Sequence, residues 1–259
     1  MSRINQRGVT IVELLIVMIV SGLLMGLITR FALNYWSRTT FLEASQETLV
    51  SRLNSGDYLR DSIDGAAGMI NQNDLPDAHV GKLDPADNSQ THWLPIHAIP
   101  GTTNVGTTGT ITPLIYYDRP SINTSKNIVL NGTIPYHDVI VLYLNGTTKQ
   151  LLARTIANSA VTNNRVRTSC PAAQATSGCP ADAVVAEDVS SVGMRYFSRS
   201  GNTIDYTSIT DPTTGAYIGP DFPSVEVVEF TIKFYRKASI HNSTNTLNQT
   251  VIRVALRNY

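Results

Sequence analysis

Residues 9–28 read VTIVELLIVMIVSGLLMGLI, twenty residues in which Glu13 is the one charge. An apolar helix of about 20 residues crosses the roughly 30 Å hydrocarbon core of a bilayer. Before it stands the leader MSRINQRG, whose ionisable side chains are Arg3 and Arg7, and the first charge after it is Arg30. A basic flank is held in the cytoplasm, so the chain beyond the span is expected on the exported side. A secretory signal peptide would have a shorter apolar region, about 7–15 residues, followed by a small-x-small cleavage site. Asn34-Tyr35-Trp36 is a poor substitute for such a site. A signal anchor fits the length but gives no reason for a carboxylate five residues into the span. A buried helix of a soluble protein does not fit the basic leader or the abrupt change of polarity at Gly8.

Glu13 therefore needs an explanation. A carboxylate at the centre of a spanning helix costs roughly 2.5–3.5 kcal/mol on insertion scales, less near an end, and such residues usually have a partner and a function. If the chain is cut after Gly8, Val9 carries a free α-ammonium. Positions 9 and 13 are then i and i+4, on one helical face. The pair can neutralise itself within one chain, or set the axial stagger between neighbouring helices. The alternative is a Glu tolerated near the interface. Arg7-Gly8-Val9-Thr10-Ile11-Val12-Glu13-Leu14-Leu15-Ile16 resembles the class III signal of type IV prepilins and type II secretion pseudopilins. The resemblance implies cleavage between Gly8 and Val9 by a prepilin peptidase, N-methylation of Val9, a leader whose charge is Arg3 and Arg7, and a role for Glu13 in assembly. Val9 stands where that family usually has Phe, and Ile11-Val12 replaces the commoner Leu-Ile.

Helical character continues past the membrane. Residues 30–64 contain no Pro and one Gly, Gly56, and Leu42, Leu49, Leu53, Leu59 and Ile63 are spaced to share an apolar face. A helix from Val9 to Asp64 would be about 84 Å long at 1.5 Å per residue, so half of it is expected to project. Gly22 and Gly26 are spaced as GxxxG, which permits close helix contact, although glycine is also simply common in spanning helices. Residues 71–113 are rich in Asn, Asp, Pro, Gly and Thr and read as a long irregular connection. β-type runs follow at Leu114–Tyr117, at His137–Leu144 and Lys149–Ile156 around an Asn145-Gly146 tight turn, at Val192–Ser198 and Thr203–Tyr206 around Ser200-Gly201-Asn202, at Val225–Tyr235 and at Val251–Leu256. In the Val225–Tyr235 run, Val228, Phe230, Ile232 and Phe234 face one way and Val225, Val227 and Glu229 the other.

One long helix followed by antiparallel strands makes the class α+β. It is similar to the pilin scaffold, in which the C-terminal half of the helix packs across an antiparallel sheet. The expected divisions are a leader at 1–8, a transmembrane or filament-core helix at 9–29, an amphipathic continuation at 30–64 and a β-rich domain at 65–259. The soluble part also resembles larger minor pilins and J-type pseudopilins, through Leu142-Tyr143-Leu144-Asn145-Gly146 with Leu151-Leu152-Ala153-Arg154, and Val189-Ser190-Ser191-Val192 with Arg195-Tyr196-Phe197.

Composition narrows the chemistry. Lys and Arg number 20 and so do Asp and Glu, so the chain has no electrostatic footprint for nucleic acid, and none is expected as a partner. Two cysteines rule out a disulfide-built miniprotein and a multi-cysteine zinc module. Cys170 and Cys179 bracket PAAQATSG, and on an oxidising exported side a disulfide is favoured over free thiols. His79, His92, His97, His137 and His241 show no metal-ligand spacing. His137-Asp138 suggests a hydrolase pair only weakly, because no Gly-x-Ser-x-Gly accompanies it; a strand start is the preferred reading. Asp74, Asp77, Asp84 and Asp87 offer oxygens for calcium but lack the EF-hand spacing, so a solvated loop is preferred and no cofactor is expected. No Walker A or dinucleotide fingerprint occurs. Asn123, Asn131, Asn145, Asn242 and Asn248 read as turns, and Tyr35-Trp36 as interfacial anchors.

The expected protein is no enzyme but a structural subunit of a type IV pilus-like filament, more specifically a minor pilin acting in initiation or at the tip. The alternatives are a pseudopilin of a secretion or competence system, and a signal-anchored exported binding protein or enzyme. The expected partners are a prepilin peptidase, other pilins or pseudopilins through the helix, and the cytoplasmic membrane. The expected location is a single-pass cytoplasmic membrane protein, then a surface pilus or a periplasmic pseudopilus.

Overall fold

A computed structural model of the chain describes residues 10–69, 75–77, 92–93, 111–198, 200–204, 225–235 and 248–256. The order is α1 (Ile11–Asp64), β1 (Gly68–Met69), β2 (Leu75–Pro76), β3 (His92–Trp93), β4 (Ile111–Pro120), β5 (Leu130–Asn131), β6 (Ile134–Pro135), β7 (His137–Asn145), β8 (Gln150–Ile156), β9 (Ala183–Ala186), β10 (Val189–Ser198), β11 (Thr203–Ile204), β12 (Val225–Phe234) and β13 (Asn248–Ala255). The α+β class is therefore as expected. The chain falls into two compact units, the first holding α1 as far as Gln46 and the second beginning at Glu47.

In the first unit the large apolar side chains from Ile11 to Leu33 are all exposed. Two hydroxyls of this helix turn back on it: Thr29 Oγ1 donates to the Met25 carbonyl at 2.8 Å and Thr39 Oγ1 to that of Tyr35 at 2.8 Å. Bonding i−4 in this way hides a polar group that hydrocarbon cannot solvate.

In the second unit an antiparallel five-stranded sheet, β1-β4-β7-β8-β9, and an antiparallel four-stranded sheet, β11-β10-β12-β13, share one core with the end of α1. Leu59 and Ile63 are fully buried in it, whereas Leu42, Leu49 and Leu53 are 59%, 53% and 59% exposed. The apolar face expected over residues 42–63 is thus seated only in its last two turns. There Ser62 hydrogen-bonds the Tyr117 hydroxyl, and higher up Arg52 donates to Thr250 on β13. Gly65 follows the last helical residue, and the Ala67 amide joins the Asp118 carbonyl at 2.8 Å, handing the chain to β4.

From Val228 to Phe234 strand β12 alternates as expected, with Val228, Phe230, Ile232 and Phe234 in the core; Val225, expected on the other face, is fully buried in the same core, beyond a register irregularity opposite Phe197 and Ser198. On its other face Glu229 sits opposite Arg195 of β10 and Arg253 of β13, a cross-strand charge ladder in which Arg253 Nε donates to Glu229 at 2.5 Å. The β7–β8 hairpin differs from expectation. Asn145 pairs with Gln150, so the loop has four residues rather than a two-residue Asn-Gly turn. The Asn145 side chain accepts from the Thr147 and Thr148 amides, and the left-handed position falls on Lys149, with φ 56°. At Gly201 φ is 79°, as a turn between β10 and β11 requires.

Candidate functional site

The start of α1 is built by local chemistry. Thr10 precedes the first helical residue, and its Oγ1 accepts from the Glu13 amide at 3.3 Å. Glu13 Oε2 accepts from the Thr10 amide at 3.0 Å and from the Thr10 hydroxyl at 3.1 Å. Thr-x-x-Glu at the N-cap and third positions is a reciprocal capping box, and it satisfies amides that a helix start otherwise leaves bare. It also places the carboxylate at the positive end of the helix dipole. The pairing of Glu13 with the new N-terminus does not reveal this box; the Thr-x-x-Glu spacing before an apolar run is its signal in the sequence. Arg3, Arg7, Gly8 and Val9 lie outside the described residues.

From Ile11 to Thr40 this helix is long and apolar enough to cross a bilayer. A Cβ placed on Gly22 or Gly26 would meet nothing within 4 Å, so both glycines are open to approach by another helix. Tyr35 and Trp36 are exposed near the polar end of the stretch.

The second constellation is buried and was not foreseen. Arg154, on β8, has no exposed surface. Its Nε and Nη2 bind the two carboxylate oxygens of Asp182 at 2.7 Å each, and its Nη1 binds Asp77 at 2.7 Å. Asp182 also accepts from the Tyr143 hydroxyl at 2.7 Å and from Ser169 at 2.6 Å. Burial opposes the guanidinium charge, but the bonds and charges of Asp182 and Asp77 outweigh it and raise the Arg154 pKa. Burial, reinforced by the Asp182 charge, pushes the Tyr143 hydroxyl well above the ordinary phenol range. Burial does the same at Tyr117, and it raises the Tyr58 hydroxyl as well. The group is a structural lock, holding residues 75–77 and the segment before β9 against the sheet.

Other expected sites resolve as follows. Cys170 and Cys179 form a disulfide with Cα atoms 5.6 Å apart, across a loop that holds a short 3-10 turn at Ala172–Gln174. Of the four loop aspartates considered for calcium, Asp77 is engaged by Arg154, while Asp74, Asp84 and Asp87 lie outside the described residues. Among the described residues no group of three or more His, Cys, Asp or Glu side chains is placed to hold a metal ion. His137 bonds Asp118, while Asp138 is buried and accepts from Ser121, the Asn158 amide and the Asn164 side chain. The two residues therefore fasten the start of β7 to separate neighbours. Asn123 and Asn145 side chains brace turns; His79, His97, His241 and Asn242 lie outside the described residues.

The family model for the prokaryotic N-terminal methylation motif matches residues 3–29, which take in Arg3, Arg7, Gly8, the capping box and the apolar run. A comparison with curated proteins finds no match to the chain. That motif, leading into an apolar helix and an antiparallel β domain, supports a type IV pilin-like protein with a prepilin-type signal.

Proposed function

We propose that this protein is a structural subunit of a type IV pilus-like filament, specifically a minor pilin that acts in initiation or at the tip, with no catalytic turnover and no cofactor. The observation that carries this reading is the methylation motif running directly into an apolar helix whose large side chains from Ile11 to Leu33 are exposed. A prepilin peptidase cuts between Gly8 and Val9 and the new amine on Val9 is methylated. The helix holds the subunit in the cytoplasmic membrane until extraction. In the filament, apolar helices bundle, and Glu13 answers the N-terminal ammonium of a neighbour. Leu42, Leu49 and Leu53, exposed on the same helix, extend the surface open to neighbouring subunits. The size of the chain supports a minor over a bulk subunit, because long loops burden dense packing.

The test is mass spectrometry of the N-terminal peptide from membrane or filament fractions. A chain beginning at Val9 with one added methyl is expected. A chain retaining Met1–Gly8 removes the peptidase step and returns the protein to a signal anchor. Glu13→Leu is then expected to be processed yet to enter filaments poorly; normal incorporation would end the assembly role of Glu13.

A further inference from the structure

The five-stranded sheet is covered on both faces, and the two covers differ in kind. Arg154 shares a face with Val141 and Tyr116, its neighbours across β7 and β4. Tyr143 and Leu152 stand on that same face, two residues along their strands. Tyr117 stands on the other face, where it meets Ser62 of α1. The Arg154 face is therefore turned away from α1, yet Tyr116, Val141 and Tyr143 are at most 1% exposed. Among the described residues two segments reach it. One is Asp77, with Leu75 buried two residues before it; the other holds Ser169 and Asp182.

The second segment is built around the disulfide. Cys170 follows Ser169, and Asp182 comes three residues after Cys179. The Cys170 amide donates to the Pro180 carbonyl and the Asp182 amide to the Cys170 carbonyl, both at 2.8 Å, so the two flanks of the loop run side by side. Ser169 is fastened next to Arg154. Its amide donates to the Thr155 carbonyl at 2.9 Å, and its Oγ accepts from the Thr155 amide at 3.0 Å. The disulfide thus ties Asp182 to a residue already fixed on β8. Asp182 is the bidentate partner of Arg154, and a guanidinium stays buried only while its partners stay in place. The contacts run without a break from the disulfide through Asp182 and Arg154 to Asp77.

We propose that the disulfide is a redox latch for this face: closing Cys170–Cys179 seats Asp182 on Arg154, and the seated Arg154 captures Asp77 and holds residues 75–77 over the sheet. In the reduced chain residues 75–77 are released and the face carrying Tyr116, Val141 and Tyr143 opens. Closure consumes a disulfide donor, RSSR. One cysteine thiolate displaces an RS group to form a mixed disulfide, and the other cysteine displaces the second. Two RSH leave with the two thiol protons, and the donor is reduced as the cysteines are oxidised. Disulfides form in oxidising compartments, so the face closes after export. This goes beyond the filament reading and stands or falls separately from it. The experiment is hydrogen–deuterium exchange on the full chain in detergent, oxidised and after a phosphine reductant. The Leu75 and Asp77 amides are expected to exchange about tenfold faster after reduction, while β12 keeps its protection and so reports an intact fold. The pair Cys170→Ser and Cys179→Ser should show the fast exchange with or without reductant. Asp77→Asn should free the same amides in the oxidised chain, and reduction should then add nothing, since both changes act through Arg154. Unchanged exchange at Leu75 and Asp77, with faster exchange confined to residues 171–181, overturns the proposal and leaves the disulfide a local staple. A further tenfold rise on reducing the Asp77→Asn chain also overturns it, because the route then bypasses Arg154. Equal loss of protection in β12 overturns it as well, because the disulfide then holds the whole fold rather than one face.

Discussion

Arg154 is a charged residue in the middle of an apolar strand, and its two aspartates come from segments 77 and 28 residues away. Taking a guanidinium out of water costs several kcal/mol, which attraction and well-aligned hydrogen bonds return only when every partner is present. Arg154→Met should therefore cost about 3–5 kcal/mol, since it strands Asp77 and Asp182, whereas replacing all three charges at once should cost less. Urea unfolding of the detergent-solubilised chain checks both, and a change within about 0.5 kcal/mol for Arg154→Met would remove the lock. The tyrosines give a pH signature. Their folded pKa values are raised, so the stability they contribute is whole below the ordinary tyrosine pKa of about 10 and is lost as pH rises further. Over that range the unfolded chain has released the proton and the folded one keeps it at Tyr143 and Tyr117, so stability should fall about 1.4 kcal/mol per pH unit for each of these two. Tyr143→Phe should make the fall shallower by one such contribution; an unchanged slope would show that Tyr143 ionises freely in the fold.

At the scale of elements, what could be read from sequence was what is local. The helix followed from an apolar run and the absence of Pro; β12 followed from alternation; the β10–β11 turn followed from Gly201. The capping box was equally local, and the strength of the Val9–Glu13 spacing argument hid it. What could not be read was which part of a periodic face finds a partner. Leu53 and Leu59 look alike in sequence, yet only Leu59 lies against the sheets. Nor could the loop of the β7–β8 hairpin be read from Asn-Gly, because the Asn145 side chain captures two amides and shifts the left-handed residue to Lys149. The contrast can be measured. Leu59→Ala leaves a cavity in the core and should cost about 2–5 kcal/mol. Leu53→Ala should change the unfolding midpoint little, within about 0.5 kcal/mol, while weakening any association that uses the exposed face. Equal losses at the two positions would mean that the helix is seated along its whole apolar stripe.

At the scale of the molecule, the leader and the disulfide make one joint statement about topology. Arg3 and Arg7 before an apolar run direct the following chain out of the cytoplasm. A disulfide between Cys170 and Cys179 persists where the surroundings are oxidising and not where thiols are kept reduced. The two features lie more than half the chain apart, so their agreement is a test rather than a restatement. Alkylation of denatured protein drawn from cells should find no free thiol in the full chain until a reductant is added. The same chain lacking residues 2–29, and so lacking its export signal, should remain in the cytoplasm and have both cysteines alkylated. Closing a loop this short contributes roughly 2–3 kcal/mol in the chain-entropy account, so reduction should lower the stability of the exported domain without unfolding it. Free thiols in the full chain would place the β domain on the cytoplasmic side and reverse the orientation.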